Sequence, residues 1–431
     1  MKSFTQKSLI AASILGAGAA LNAAPLVSIG DSVDIFFNGS TNVQWRSNLF
    51  YADGIEGTTP PTALAPAGVT INRPKESAFV FYVSPGLEIQ IGRNSNANVT
   101  IYFREDFLFY SKYSSQLNTE LANLYVDGVY DWGNLSTSAG FSFVQSQQNT
   151  PTTSGGVFQA DLVETNNYNA YIDADYDISP KAWLSGGFNW TRRDYTNNQN
   201  FGNRYSDVDY YQAPITFFWR VTPKLSVGPS FRYRYTDPSS TPTTIPADYN
   251  DYFFNVAVKG EVMPKLNVGL NVGYQLRDPN RDRINRVTNT AISQDTRGQF
   301  SIIGDVEYEI TPKLLGYASL YNEFGVGAEG QTTTDLGGDI GAIYQFNSYI
   351  SAVAEFGMEN SEYQNSNGRE DLTTTADFSI NYTPNAYWQL SAGYYYINNN
   401  SDGNFNPIIG SDNTGASFNS HTVNLQATFR Y

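Results

Sequence analysis

The 431-residue chain contains no cysteine and one histidine, and only 16% of it is charged. Without cysteine it forms no disulfide and carries no lipid on an N-terminal cysteine. Without a histidine and cysteine cluster it offers no ordinary zinc site. Beyond its opening segment it has no run of about eighteen apolar residues, which excludes a helical membrane span. Bases are scarce too: 26 Lys and Arg against 41 Asp and Glu leave a net charge of -15, the wrong sign for a nucleic-acid surface. What is abundant is tyrosine (31) and phenylalanine (27), with Asn, Thr, Ser and Gly filling most of the rest. That mixture suits a sheet with one apolar and one wet face.

The opening segment has Lys2 and Lys7, then the apolar "SLIAASILGAGAAL", then small residues up to Pro25. It reads as a secretory signal over 1–23, with cleavage after Ala23 or Ala24, leaving a single domain over 24–431.

A turn-like tetrapeptide then recurs: SPKA from Ser179, TPKL from Thr222, MPKL from Met263, TPKL from Thr311 and TPNA from Thr383. Pro180, Pro223, Pro264 and Pro312 lie 43, 41 and 48 residues apart, and the 72 to Pro384 is two steps of 36 with a beat missing at FNSY (Phe346 to Tyr349). Periods of this size mark arrays of supersecondary units. Proline presets a tight turn and cannot donate to a ladder, so each element ends one strand and begins the next, and the repeating unit is a β-hairpin.

Between the turns the side chains alternate. Phe254, Val256, Val258, Gly260 and Val262 share one face, while Asn255, Ala257, Lys259 and Glu261 share the other. The pattern repeats at Leu266 to Arg277, at Ala170 to Ile178 with Asp173, Asp175 and Asp177 on the wet side, at Leu372 to Tyr382, and from Thr422 to Tyr431. A period of two means a strand between two different solvents. Glu105 falls on the apolar register and Tyr317 on a mostly small wet face, so bulges or a phase error are expected there.

Alternation alone also fits a soluble sandwich; aromatic placement separates the two. Tyr176, Trp219, Tyr308, Tyr344, Tyr382 and Trp388 sit beside the turns on the apolar register, and Trp190, Tyr233, Tyr235, Tyr274, Tyr394 and Tyr396 sit toward the opposite strand ends. Two aromatic belts around a band of Val, Leu, Ala and Gly match the two interfaces of a bilayer. The expected fold is a closed antiparallel transmembrane β-barrel of about 18 strands, 16 being the alternative, closed by its first and last strands. Short turns face the periplasm and longer loops the exterior.

The segment "SAFVFYVSPGLEIQIGRNSNANVTIYFREDFLFYSKYSSQLNT", Ser77 to Thr119, together with the TPKL hairpins, resembles porin-like outer-membrane barrels, including some associated with exopolysaccharide gene clusters. The resemblance covers most of the mature chain as a pattern. It implies a pore or an export-related barrel and supplies no catalytic motif. The alternate apolar residues ending at Phe429 and Tyr431 resemble the assembly signal of outer-membrane proteins, which implies insertion by the barrel-assembly machinery.

Chemistry points away from an enzyme. The register places His421 on the lipid side of the last strand, far from any serine or aspartate partner in the lumen. "DADYD" offers three carboxylates, but alternation spreads them along a wetted wall about 6 to 7 Å apart, which suits a wet face better than a calcium cage. The wet-face charges segregate along the chain. Arg193, Arg220, Arg232, Arg234, Lys259 and Arg277 come first, and Asp305, Glu307, Glu309, Asp335, Asp339, Glu355, Asp371 and Asp377 follow. On opposite walls of a pore such groups impose a transverse field; chance segregation is the equal alternative. The loop "RDPNRDRINR", Arg277 to Arg286, either faces lipopolysaccharide or folds inward.

The expected function is passive diffusion of small hydrophilic solutes with a slight cation bias, without cofactor or metal. The alternatives are an accessory barrel for exopolysaccharide export and a surface adhesin acting through its loops. Partners are outer-membrane lipid, lipopolysaccharide and the assembly machinery. A homotrimer, common among porins, has no interface signature in the sequence.

Overall fold

The structure, a computed structural model, describes residues 24–431 apart from 55, 59–69, 73, 94, 152, 154–160, 365–367 and 403–416. The expected signal over 1–23 and most of the proline-rich stretch after Thr58 lie outside the described residues. Eighteen antiparallel strands close on themselves. In chain order they are β1 (Val33–Arg46), β2 (Ala78–Ile91), β3 (Ala97–Tyr110), β4 (Thr119–Asp131), β5 (Leu135–Gln147), β6 (Glu164–Ser179), β7 (Ala182–Tyr195), β8 (Val208–Arg220) and β9 (Leu225–Pro238). There follow β10 (Tyr249–Met263), β11 (Leu266–Pro279), β12 (Arg297–Thr311), β13 (Leu314–Val326), β14 (Thr332–Gln345), β15 (Ile350–Tyr363), β16 (Glu370–Tyr382), β17 (Trp388–Asp402) and β18 (Phe418–Arg430).

Each strand pairs with its sequence neighbour, and β18 returns to β1 from Asn38↔Arg430 to Arg46↔Thr422. An even number of strands lets the first and last meet antiparallel, so no edge is left unpaired. Beyond that ladder Tyr431 exchanges backbone hydrogen bonds with Phe37, 2.9 Å and 2.6 Å. The short strand Val27–Ile29 pairs on the free lower edge of β1. Strands of 13 to 16 residues, tilted as barrels require, rise roughly 33 to 40 Å, enough to cross the hydrocarbon and its interfaces.

The turns explain the missing beat. In three of them a side-chain oxygen accepts the turn's N–H groups: Ser179 from Ala182 (3.1 Å), Thr222 from Leu225 (3.0 Å), Asn385 from Trp388 (3.1 Å). At FNSY, Asn347 accepts from Tyr349 (2.8 Å) and Ile350 (3.0 Å), so an Asx turn replaces the proline. The register irregularities sit at these turns, at Ala182/Trp183, Glu261/Met263 and Glu309/Thr311.

The bulge or phase error expected at Glu105 and Tyr317 is absent. Both strands stay in register there, with Glu105 opposite Ala122 and Tyr317 opposite Gly341, so Glu105 belongs to the outward face and Tyr317 to the inward one.

The outward register is apolar and open: Leu425 is 62% exposed and Ile340 64%. Tyr176, Trp219, Tyr308, Tyr344, Tyr382 and Trp388 are exposed at the turn end, and Tyr274 and Tyr394 at the other. Inside the wall, polar side chains including Arg277, Asp251, Gln275 and Ser301 are as deeply buried as apolar Phe253 and Val80. A soluble sandwich would invert this arrangement. Among the described residues no helix is long and apolar enough to cross a membrane, and the strands make the crossing. A closed barrel with an apolar outer band belongs in the outer membrane.

Candidate functional site: the lumen and its inward hairpin

All eleven sequence-derived candidates for the lumen lie on the inward register: Arg232 and Arg234 on β9, Lys259 on β10, Arg277 on β11, Asp305, Glu307 and Glu309 on β12, Asp335 and Asp339 on β14, Glu355 on β15 and Asp377 on β16. Asp173, Asp175 and Asp177 form an inward row on β6. His421 faces outward, its ring 4.9 Å from that of Tyr396 and its Nδ1 2.8 Å from the Tyr394 hydroxyl.

The expected opposition of a basic and an acidic wall takes a different form. β12 and β13 pair only from Ile302↔Asn322 downward, while β13 and β14 stay paired up to Val326↔Thr332. The upper part of that hairpin therefore leaves β12 and leans across the inner faces of β11, β10 and β9. There Gln275 donates to the Asn322 carbonyl (3.0 Å), Arg277 to that of Gly325 (2.8 Å) and Arg234 to that of Phe324 (2.6 Å). The Glu323 carboxylate is gripped by Arg232 and, at 3.3 Å, by Arg234.

Behind the hairpin, fully buried Asp251 accepts from Arg277 at 2.7 and 2.9 Å and from Arg234 at 2.8 Å. Aromatic faces complete the packing. Arg232 lies 3.7 Å from the Phe253 centroid, and Arg277 lies 4.6 Å from Tyr249 and 4.9 Å from Phe324. Three of the six bases expected on a charged wall, Arg232, Arg234 and Arg277, are thus held by Glu323 and Asp251, two acids that sequence reasoning did not single out. Asp251 faces its partners on the two neighbouring strands, whereas those of Glu323 lie four strands away, a contact that no local pattern encodes.

The hairpin tip reaches the loop between β7 and β8. Ala328 accepts from the Ser206 N–H (2.7 Å), and Arg204 grips Glu329 at 2.5 Å. The Glu329 carboxylate raises the Arg204 pKa against the opposing effect of its burial. Ala328 is buried with Val163, Tyr195 and Tyr205, while Gly330, at φ +75°, lies against Pro246 and Ser206. The upper lumen is therefore bridged from one wall to the other. Of the arginine-rich stretch, Arg277 joins this bridge, while Arg283–Asn285 pairs with Thr290–Ile292 and with Thr244–Ile245, and Arg281 meets Asp248 at 2.9 Å.

Below the bridge, Lys259 sits 5.3 Å from the Trp183 ring, which stacks on Phe218 at 4.2 Å, and Arg220 pairs with Asp177. A further set of bases that the sequence reading did not list lines the β18, β1 and β3 side. Arg430 bonds Glu88 (2.9 Å), Arg46 bonds the Tyr82 hydroxyl (2.6 Å) and Arg104 meets Asp106 (2.9 Å).

One arrangement recurs three times on the inner wall. A tyrosine faces a glycine on the next strand, its ring lies across that glycine, and its hydroxyl donates to a carboxylate one strand further on. The sets are Tyr171, Gly140 and Asp127; Tyr317, Gly341 and Glu355; and Tyr321, Gly337 and Glu359. A Cβ at any of these glycines would overlap the ring. Glycine is required there for the close approach rather than for its backbone freedom.

No family model matches the chain, and no curated protein matches it. Among solved structures it is similar to the siderophore receptor PiuA from Acinetobacter baumannii, at 8% identity over 95% of this chain and 82% of that one, TM-score 0.47. It is similar to the outer membrane protein OpdK from Pseudomonas aeruginosa, at 11% identity over 92% and 99%, TM-score 0.44. The outer membrane channel DcaP of Acinetobacter baumannii is 12% identical over 95% and 100%, TM-score 0.43.

Proposed function

We propose that this chain is a porin-like channel for passive diffusion of small hydrophilic solutes, biased toward cations. One observation carries the reading: a closed eighteen-strand wall whose inward register is polar and charged, narrowed in its upper half by its own β13–β14 hairpin. Eighteen strands enclose a water-filled lumen. A hairpin bridging that lumen suits small solutes rather than a polymer chain. The sign of the bias follows from the inward charges. Arg232, Arg234 and Arg277 are engaged by Glu323 and Asp251, whereas Asp305, Glu307, Glu309, Asp335, Asp339, Glu355 and Asp377 follow on the inward register of β12 to β16. Export by a signal over 1–23 and assembly guided by Phe429 and Tyr431 belong to the same proposal.

Purified protein in a planar bilayer under a KCl gradient is expected to conduct and to reverse on the cation-selective side of zero. The double variant Asp305→Asn, Glu307→Gln moves the reversal potential toward zero. Silence where an established porin conducts would overturn the diffusion reading, and an anion-selective reversal would overturn the bias.

A further inference from the structure

We infer that the tyrosines laid across glycines are recognition platforms for small organic cations such as protonated amines, guanidinium and quaternary ammonium groups, an inference that rests on the cation-biased channel proposed above. The geometry carries it. Tyr171, Tyr317 and Tyr321 stand on the inward register, each with its ring laid across a glycine and half-buried. An aromatic face attracts a cation through its quadrupole, and weakly hydrated organic cations use that attraction better than a tightly hydrated alkali ion.

The carboxylates give the platform its sign. Each hydroxyl donates to one, and around Tyr317 the wall adds Asp377, paired in register with Glu355, and Asp339, which accepts from Ser319. The same unit stands on β6 and on β13, seven strands apart around the barrel, so a solute in the lower lumen meets platforms on two walls. A ring serving only to brace the wall would need its hydroxyl bond and its fit over glycine. It would have no bearing on which solutes linger in the pore.

The test is block of single-channel KCl current by tetramethylammonium, with glucose as the neutral probe. The natural chain is expected to be blocked by tetramethylammonium and not by glucose at equal concentration. Tyr317→Leu, which removes the ring, weakens the block about two- to fivefold; Tyr317→Phe, which keeps the ring and loses the hydroxyl bond, retains most of it. Tyr171→Leu on the opposite wall provides the same comparison should the β13 variant fail to assemble. Absence of any KCl current sinks the channel reading and this inference with it. A cation-selective KCl current without tetramethylammonium block, equal block in the Leu and Phe variants, or comparable block by glucose overturns the platforms alone.

Discussion

At the scale of single residues the decisive group is Asp251. It is fully buried and holds two guanidinium groups at 2.7 to 2.9 Å. A buried ion network contributes little net stability because desolvation offsets its attraction, yet losing one member leaves uncompensated charge. Asp251→Asn is therefore expected to destabilise the barrel by about 3 to 5 kcal/mol, read as a lower midpoint for urea unfolding in detergent micelles. Replacing the network together, Arg234→Met, Asp251→Leu and Arg277→Met, recovers most of that loss; an equally unstable triple variant would refute the argument. The sequence made the inward positions of Arg234 and Arg277 legible, because alternation fixes the face of every residue in a strand. It left Glu323 unread, because alternation is silent on which inward groups meet across a lumen, and Asp251 unread because its partners Arg234 and Arg277 are fixed by the register of the neighbouring strands.

At the scale of elements, the turns were readable and the hairpin was not. Thr-Pro-Lys and its Asn-based substitute at FNSY act through local chemistry, a side-chain oxygen accepting the turn's own N–H groups, which a tetrapeptide contains in full. The departure of the β13–β14 hairpin from β12 depends on captures made by β9 and β11, residues remote in sequence. Glu105 supplies the complementary lesson: it is an acid on an apolar register, yet the register holds on both sides of it, the ladder to β4 unbroken and that to β2 interrupted at Ser84 and Pro85 without a shift. The anchor of the hairpin can be loosened at one point. Glu323→Gln removes the charge gripped by Arg232 and Arg234, weakening that contact by about 1.5 to 3 kcal/mol. Higher single-channel conductance with more open-channel noise is expected. Glu362→Gln, on the outward register of β15 near its upper end, should leave both unchanged, and an unaltered Glu323→Gln channel would mean that the hairpin does not set the conductance.

At the scale of the whole molecule, the fold rests on a wall one residue thick with lipid on one side and water on the other, so neighbouring positions in sequence should respond to the same substitution in opposite ways. Leu425 on β18 is 62% exposed on the outward band, and Gln426 beside it points inward, where it donates to Thr428 at 3.2 Å. An arginine at the first position places a guanidinium in hydrocarbon, and at the second it joins a polar wall. Leu425→Arg is expected to destabilise the barrel by about 2 to 4 kcal/mol in lipid, measured by reversible unfolding from vesicles. Gln426→Arg should change stability by less than about 1 kcal/mol, since surface-like polar substitutions rarely exceed that, and should shift the reversal potential toward anions instead. Were the sheet packed against a second sheet in water, residue 425 would face protein and residue 426 solvent, and Gln426→Arg would leave the ion selectivity of reconstituted bilayers untouched. The paired measurement of stability and reversal potential therefore separates a membrane-spanning wall from any fold that merely alternates.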